Sequence, residues 1–187
     1  MTRNEDAMKL VVIGATGSVG SAFVNQALNR GHEVLAISRS GGGHSRAARL
    51  VADVLDTAAL TDCLRGWDAV FSATDGNIEK PGPAMASLVA AAGNASVPRV
   101  VAIGGAGVLN VENGDLLFQT NSFPNFLRAA SESQLEALEH LEASRIEWTL
   151  LCPGAMVEGA PTGLYRHQAE FALADGNQIR FADVAHL

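Results

Sequence analysis

Lysine, tyrosine and cysteine are all scarce in this 187-residue chain: Lys9 and Lys80 are the only lysines, Tyr165 the only tyrosine, Cys63 and Cys152 the only cysteines. The cysteines stand far apart with no C-x-x-C spacing, which excludes a cysteine-held metal ribbon and a dithiol redox motif and makes a reducing cytoplasm the simplest setting. The five histidines share no ligand spacing, so no metal site is expected. Basic residues are outnumbered, 13 against 20 acidic, and no basic patch relieves the net charge of -7. Nucleic acid and anionic membrane are therefore excluded as partners, because an acidic surface releases no counterions from phosphate and is repelled by anionic lipid. No apolar run is long enough to cross a bilayer, and Met1 to Met8 is too polar for a signal peptide and reads as a frayed extension. Internal repeats and low-complexity linkers are absent too, so residues 1–187 are expected to form a single domain around one core.

What is present is organised around Lys9 to Gly20, Lys-Leu-Val-Val-Ile-Gly-Ala-Thr-Gly-Ser-Val-Gly. A run of aliphatic residues ends in three glycines spaced three apart, Gly14, Gly17 and Gly20, and residues 21–30 then carry apolar side chains at helical spacing. Strand, tight turn and helix follow from that order. Glycine permits the sharp turn and lets the backbone approach a phosphate, while the helix start offers free N–H groups and the positive end of its dipole. A dinucleotide is the expected guest, held by Gly14, Thr16, Gly17, Ser18, Val19 and Gly20. The spacing G-x-x-G-x-x-G departs by one residue from G-x-G-x-x-G, and an empty turn of the same shape is the alternative.

Along the chain, strand-like and helix-like segments alternate. Glu33 to Ser38 reads as a second strand, Arg49 to Val54 as a short third one, and Asp56-Thr57 as the cap of a helix reaching Arg65. Asp68 to Ala73 reads as a fourth strand, Pro81 to about Ala92 as an alanine-rich helix opened by prolines, and Arg99 to Gly104 as a fifth strand. Residues 106–123 are too long and too apolar for a simple connection and are expected to fold over something. A helix then runs from Pro124 to about Ala143 with Phe126, Leu127, Ala130, Leu135, Leu138 and Leu141 as its apolar stripe, followed by a sixth strand, Glu147 to Cys152. In the tail, a strand over Tyr165 to Leu173, a turn at Asp175-Gly176-Asn177 and a short apolar stretch, Gln178 to Phe181, are expected. Strands apolar on both faces and alternating with helices specify a parallel sheet covered on each side: a doubly wound α/β fold of the Rossmann type, in three layers. Residues 153–187 are left to make a small lobe on the substrate side.

These motifs in this order resemble the atypical short-chain dehydrogenase/reductases, the group of NmrA-like proteins and of biliverdin-reductase-B-like or NADH-flavin-reductase-like proteins. The likeness rests on residues 14–20, Ser38-Arg39, Asp53-Val54, Asp68-Ala69-Val70-Phe71-Ser72-Ala73, Gly104-Gly105-Ala106-Gly107, Phe123-Pro124, Glu147-Trp148-Thr149 with Pro153, and Thr162-Gly163-Leu164-Tyr165-Arg166. It departs from the group in having Val108 where a serine follows Gly-Gly-Ala-Gly, and in ending soon after Ala182-Asp183-Val184-Ala185, where the group continues through a further helix and a last strand.

The resemblance implies a nicotinamide cofactor, NADP(H) in preference to NAD(H). The acid that would bond the ribose hydroxyls is missing at the end of the second strand, and Ser38-Arg39 stands there instead, offering a guanidinium to a 2′-phosphate. A solvated arginine is the plain alternative. His44 and Arg46 are further candidates for that phosphate. Asp53 and Val54 are implied at the adenine edge, with capping of the next helix as the other reading of Asp53. Ser72, Ala73 and Thr74 are implied at the adenosine ribose, and Gly104, Gly105 and Pro153 further along the cofactor.

The superfamily's Tyr-x-x-x-Lys acid/base pair is not available, because Tyr165 is followed four residues later by Ala169 and the helix that usually carries the pair has Phe126 and Ala130. No catalytic side chain is assigned. Hydride transfer to a flavin, quinone or other planar conjugated acceptor makes a lighter demand, and Ala106, Phe118, Phe123, Ala155 and Met156, beside Gly105 and Pro153, are the expected pocket wall, with plain core as the alternative for each. A non-catalytic NADP(H)-binding sensor is the second function class. Either would be a monomer or a homodimer.

Overall fold

The computed structural model describes residues 7–74, 81–176 and 178–186. Most of the expected N-terminal extension, and Asn177 of the expected turn, lie outside them. β1 (Lys9–Ile13), β2 (Glu33–Ser38), β3 (Ala48–Val51), β4 (Ala69–Ser72), β5 (Arg99–Ile103) and β6 (Glu147–Leu151) form one parallel sheet in the order β3-β2-β1-β4-β5-β6. The chain winds outward from β1 through β2 to β3, then returns to β4 on the other side of β1. That reversal opens a crevice at the carboxyl ends of β1 and β4, where open α/β sheets bind ligands.

Side chains alternate across the pleat and each face has its own cover. Val11, Ile13, Ile37, Val70, Val100 and Ala102 pack against α2 (Thr57–Leu64), α3 (Pro81–Ala95) and α4 (Asn125–Glu142), with Leu60, Leu64, Leu88 and Leu141 fully enclosed. Leu10, Val12, Ala36, Phe71 and Ile103 face α1 (Ser18–Asn29) and the short α5 (Phe181–Val184). On that side Phe23 of α1 stacks on Phe71 of β4, the ring centroids 3.9 Å apart. Burying one such large side chain contributes about 1.5–3 kcal/mol, so both interfaces fix the sheet.

Several elements differ from the sequence expectation. β3 begins at Ala48 and ends at Val51, in step with Ser38 of β2, so Asp53 and Val54 lie in the following turn rather than in the strand. It is an edge strand with all four residues exposed, and only its pairing to β2 sets its length. No strand forms over Tyr165 to Leu173; Phe171 makes one isolated bridge to Asn110, and Gln178–Arg180 (β8) instead pairs in parallel with Ala155–Val157 (β7). The first turns of α4 depart from the expected apolar stripe: Phe126 is 83 % exposed and Leu127 and Ala130 are exposed, whereas Leu135 and Leu138 are half-buried and Leu141 is buried as expected, beside Ser131 and Ala137. No helix among the described residues is long and apolar enough to cross a membrane.

Candidate functional site

Three glycines shape the first βα turn, each for a different reason. Gly14 has φ +77°, and a Cβ there would stand 2.6 Å from the carbonyl oxygen of Ala73, so only glycine fits between β1 and the end of β4. A Cβ on Gly20 would stand 2.2 Å from Gly14 O; its absence lets α1 press onto the turn. Gly17 is different. Its φ of −73° suits any residue, and a Cβ would meet only Gly14 O at 3.4 Å, an ordinary contact.

Gly17 is nonetheless the N-cap of α1, where a serine, threonine, aspartate or asparagine would bond the first turn and glycine cannot. The first helical bond is Ser21 N–H to Gly17 O at 2.8 Å, which leaves the N–H groups of Ser18, Val19 and Gly20 without an intrahelical partner. No acidic residue lies in that first turn. The fold itself does not require glycine at 17. Glycine is also a favoured N-cap residue, and here it brings no side chain over the first-turn amides, which with the helix dipole are able to receive an anion.

The other expected cofactor residues surround this turn. Ser38 is buried at the end of β2, and its hydroxyl donates to Gly42 O at 3.2 Å, closing the loop that follows. Gly42 packs so near the turn that a Cβ on it would stand 3.2 Å from Thr16 Cγ2. Arg39 is exposed beside that loop and makes no hydrogen bond or ion pair among the described residues. Arg46 is engaged instead, donating to Asn29 Oδ1 at 2.7 Å, and His44 Nδ1 accepts from Arg46 N–H at 3.1 Å. Asp53 accepts from Leu55 N–H at 3.0 Å, while the cap of α2 is Asp56, which accepts from Ala59 N–H at 3.0 Å. The side chain of Val54 is in the core, which leaves only its backbone to meet a ligand.

Across the crevice, Ser72 and Thr74 hydroxyls lie 3.2 Å apart beyond β4, and Ala73 N–H donates to Ile13 O at 2.9 Å. Gly104 N–H donates to Leu151 O at 2.8 Å and Ala106 N–H to Pro153 O at 3.2 Å, so the ends of β5 and β6 are joined at this edge. A small cleft of about 20 Å³ is lined by Ser72, Thr74 and Gly104 at the sheet edge and by Met85 of α3 and Gln134 of α4.

The expected pocket wall is brought together only in part. Phe123 lies against Gly107, in the short 3-10 turn Ala106–Val108, and Ala106 meets Pro153. Phe118, in a second 3-10 turn at Leu117–Gln119, is 7 % exposed and so packs inside the segment rather than lining an open surface. Ala155 and Met156 belong to β7, where Met156 packs with Ile179 and Phe181 against the α1 side of the sheet.

Sequence reasoning missed three features. α4 comes close enough to β5 that Gln134 fills the space a Cβ on Gly105 would take and Ser131 the space beside Gly107; glycines with ordinary backbone angles were the available signal. Arg128 of α4 holds the carbonyls of the 106–123 segment, as detailed below. Asp183, 2 % exposed, accepts from Thr162 N–H at 2.8 Å, Gly163 N–H at 2.9 Å and the Thr162 hydroxyl at 2.8 Å, tying the Thr-Gly loop to α5. Tyr165 follows that loop, its hydroxyl 2.8 Å from His186 Nδ1. Cys63 is a free thiol whose pKa burial, and then Asp62, push up. Among the described residues no group of histidine, cysteine, aspartate and glutamate could hold a metal ion.

Comparison with known proteins agrees with this geometry. Residues 14–187 match the family model for NAD(P)H-binding proteins. The chain is 31 % identical to the protein YwnB of Bacillus subtilis, over 95 % of this chain and 89 % of that one. Among solved structures, a protein of Burkholderia pseudomallei described as exported superposes with a TM-score of 0.87 at 33 % identity, covering 96 % of this chain and 90 % of that one. A protein of Streptococcus pneumoniae described as an NADH-flavin reductase superposes with a TM-score of 0.80 at 30 % identity, with coverage of 96 % and 90 %. The chain thus belongs to the NAD(P)H-binding family and, within it, to the atypical short-chain dehydrogenase/reductases.

Proposed function

We propose that this protein is an NAD(P)H-dependent reductase that prefers NADPH and passes hydride directly to a planar conjugated acceptor such as a flavin or a quinone. The observation that carries the reading is the start of α1, where three N–H groups have no intrahelical partner and the N-cap Gly17 brings no side chain over them. The likeness to the Streptococcus pneumoniae protein supports the acceptor class. When bound, reduced nicotinamide supplies two electrons and one proton as hydride; a second proton from solvent completes the reduced acceptor.

The chain's own part is to bind and to align. Ser18 to Gly20 bind the pyrophosphate through backbone N–H groups, Arg39 pairs with the 2′-phosphate, and Ser72 and Thr74 offer hydroxyls to the ribose. The joined ends of β5 and β6, at Gly105, Ala106 and Pro153, form the floor on which the two rings meet, and residues 106–123 cover it. No tyrosine or lysine takes part in proton transfer. Tyr165 has a histidine as its partner in place of a lysine.

The test is NADPH oxidation by the purified protein with FMN, riboflavin and a naphthoquinone as acceptors, run in parallel on Tyr165→Phe. Turnover with at least one acceptor, and a Tyr165→Phe rate within about tenfold of the parent, is expected; loss of an acid/base tyrosine would slow the chemistry by about 10²–10⁴-fold. Tight NADPH binding with no turnover on any acceptor would replace this reading with a non-catalytic sensor.

A further inference from the structure

The segment 106–123 is held by turn bonds and two 3-10 turns rather than by a strand or an α-helix, and its second half turns three carbonyl oxygens toward a single side chain. Arg128 is the fourth residue of α4 and half-buried. Its Nη1 donates to Phe118 O, its Nη2 to Thr120 O at 2.6 Å and Phe123 O at 3.4 Å, and its Nε to Asn125 Oδ1 at 3.0 Å. No carboxylate lies within ion-pair distance of this guanidinium among the described residues. A cation in the first turn of a helix opposes the helix dipole, and here no acid offsets it. Its gain comes from the carbonyls of Phe118, Thr120 and Phe123, in and just after the second 3-10 turn, of which, among the described residues, only Thr120 O accepts a backbone N–H as well, from Phe123 at 3.3 Å. The rigid fork of arginine, with five donors in one plane, suits three carbonyls that a single ammonium could not reach together.

We propose that Arg128 is the positioning residue of the acceptor site: it locks residues 118–123 onto the start of α4, and so sets the affinity for the acceptor without touching cofactor or acceptor. The proposal rests on the reductase reading above, in which this segment covers the acceptor. Its neighbours support the placement. Phe123, one of the residues held, lies against Gly107, and Ser131, one turn along α4 from Arg128, fills the other side of the same glycine. The lock and the floor of the site thus share one contact.

Arg128→Ala and the milder Arg128→Lys are to be compared with the parent, full-length and NADPH-loaded, in two measurements. Steady-state kinetics with FMN and a naphthoquinone should show the acceptor KM raised by about tenfold or more in Arg128→Ala, as expected for lost charge-assisted bonds. The NADPH KM and kcat at saturating acceptor should stay within about twofold, Arg128→Lys should lie between, and added methylguanidinium should lower the raised KM. Amide exchange should accelerate by about tenfold or more over residues 117–123 and stay unchanged over residues 14–21. Unchanged acceptor KM, or parallel losses in kcat and NADPH binding, would overturn the proposal. A parent that reduces no acceptor sinks the reductase reading instead; the exchange data then decide Arg128 alone, faster exchange at 117–123 supporting the lock and unchanged exchange overturning it.

Discussion

Arg39 and Arg46 show how far a residue's role can be read before its neighbours are known. Both are arginines just beyond β2, and both suit a phosphate by type and position. The fold separates them, because Arg46 donates to Asn29 at the end of α1 while Arg39 stands in solvent beside the loop that closes on Thr16. An arginine already engaged by a neutral amide has less to offer a ligand than one that makes no hydrogen bond or ion pair among the described residues. Arg39→Ala is accordingly expected to weaken NADPH by about 1.5–3 kcal/mol, roughly 10–100-fold, and to leave NADH almost unchanged. Equilibrium titration with both cofactors measures this, and equal losses for the two would remove Arg39 from the phosphate site. The glycine turn was legible as a motif, but the separate reasons for its glycines were not: that Gly14 and Gly20 are steric necessities and Gly17 has room for a Cβ depends on what each one packs against. Asp53 was less so: Asp56 was readable as the helix cap and is one, whereas capping was also open to Asp53, which in the fold only closes its own turn onto Leu55 N–H.

At the level of elements, the internal strands were legible because both their faces are apolar, which needs no knowledge of neighbours. β3 was misplaced by the same rule, since an edge strand borrows its register from β2 and Val54 of the next turn is as apolar as a strand residue. α4 misled for another reason. Phe126 and Leu127 extend the helical stripe of Leu135, Leu138 and Leu141, but where two glycines follow β5 the helix packs through Ser131 and Gln134, and only the start of the stripe is left exposed. The Thr162–Tyr165 loop had no visible periodicity because its anchor, Asp183, lies about 20 residues away in sequence.

That anchor carries a pH signature. Burial pushes the Asp183 carboxyl up, but the bonds from Gly163 and Thr162, with the charge of Arg180, together outweigh it and hold the group below its ordinary value. A carboxyl with a lowered folded pKa stabilises the fold fully above the unfolded value of about 3.9 and loses that contribution as pH falls through the folded value. Urea unfolding of the parent should therefore weaken from about pH 4 downward. Asp183→Asn should be less stable than the parent at pH 7 and should approach it as pH falls through the lowered folded value, because the protonated parent has lost the same charge. A constant difference between the two at all pH values would deny Asp183 this part.

For the whole molecule, the order β3-β2-β1-β4-β5-β6 places the glycine turn, the end of β4 and the joined ends of β5 and β6 along one edge of the sheet. The sequence pattern implied that arrangement, because a parallel sheet with helices on both faces can put its loops nowhere else. The way residues 106–123 are fastened was not implied, since it depends on three carbonyls meeting one guanidinium. The central claim remains the cradle at Gly17. Aspartate is a good N-cap residue, and Gly17 has both the backbone angles and the space to accept a Cβ, so Gly17→Asp should fold with a melting temperature equal to or above that of the parent. It would also set a carboxylate where the pyrophosphate binds. The measurement is the thermal shift on adding NADPH: the account predicts a clear rise for the parent and none for folded Gly17→Asp, and an equal rise for both would place the dinucleotide elsewhere.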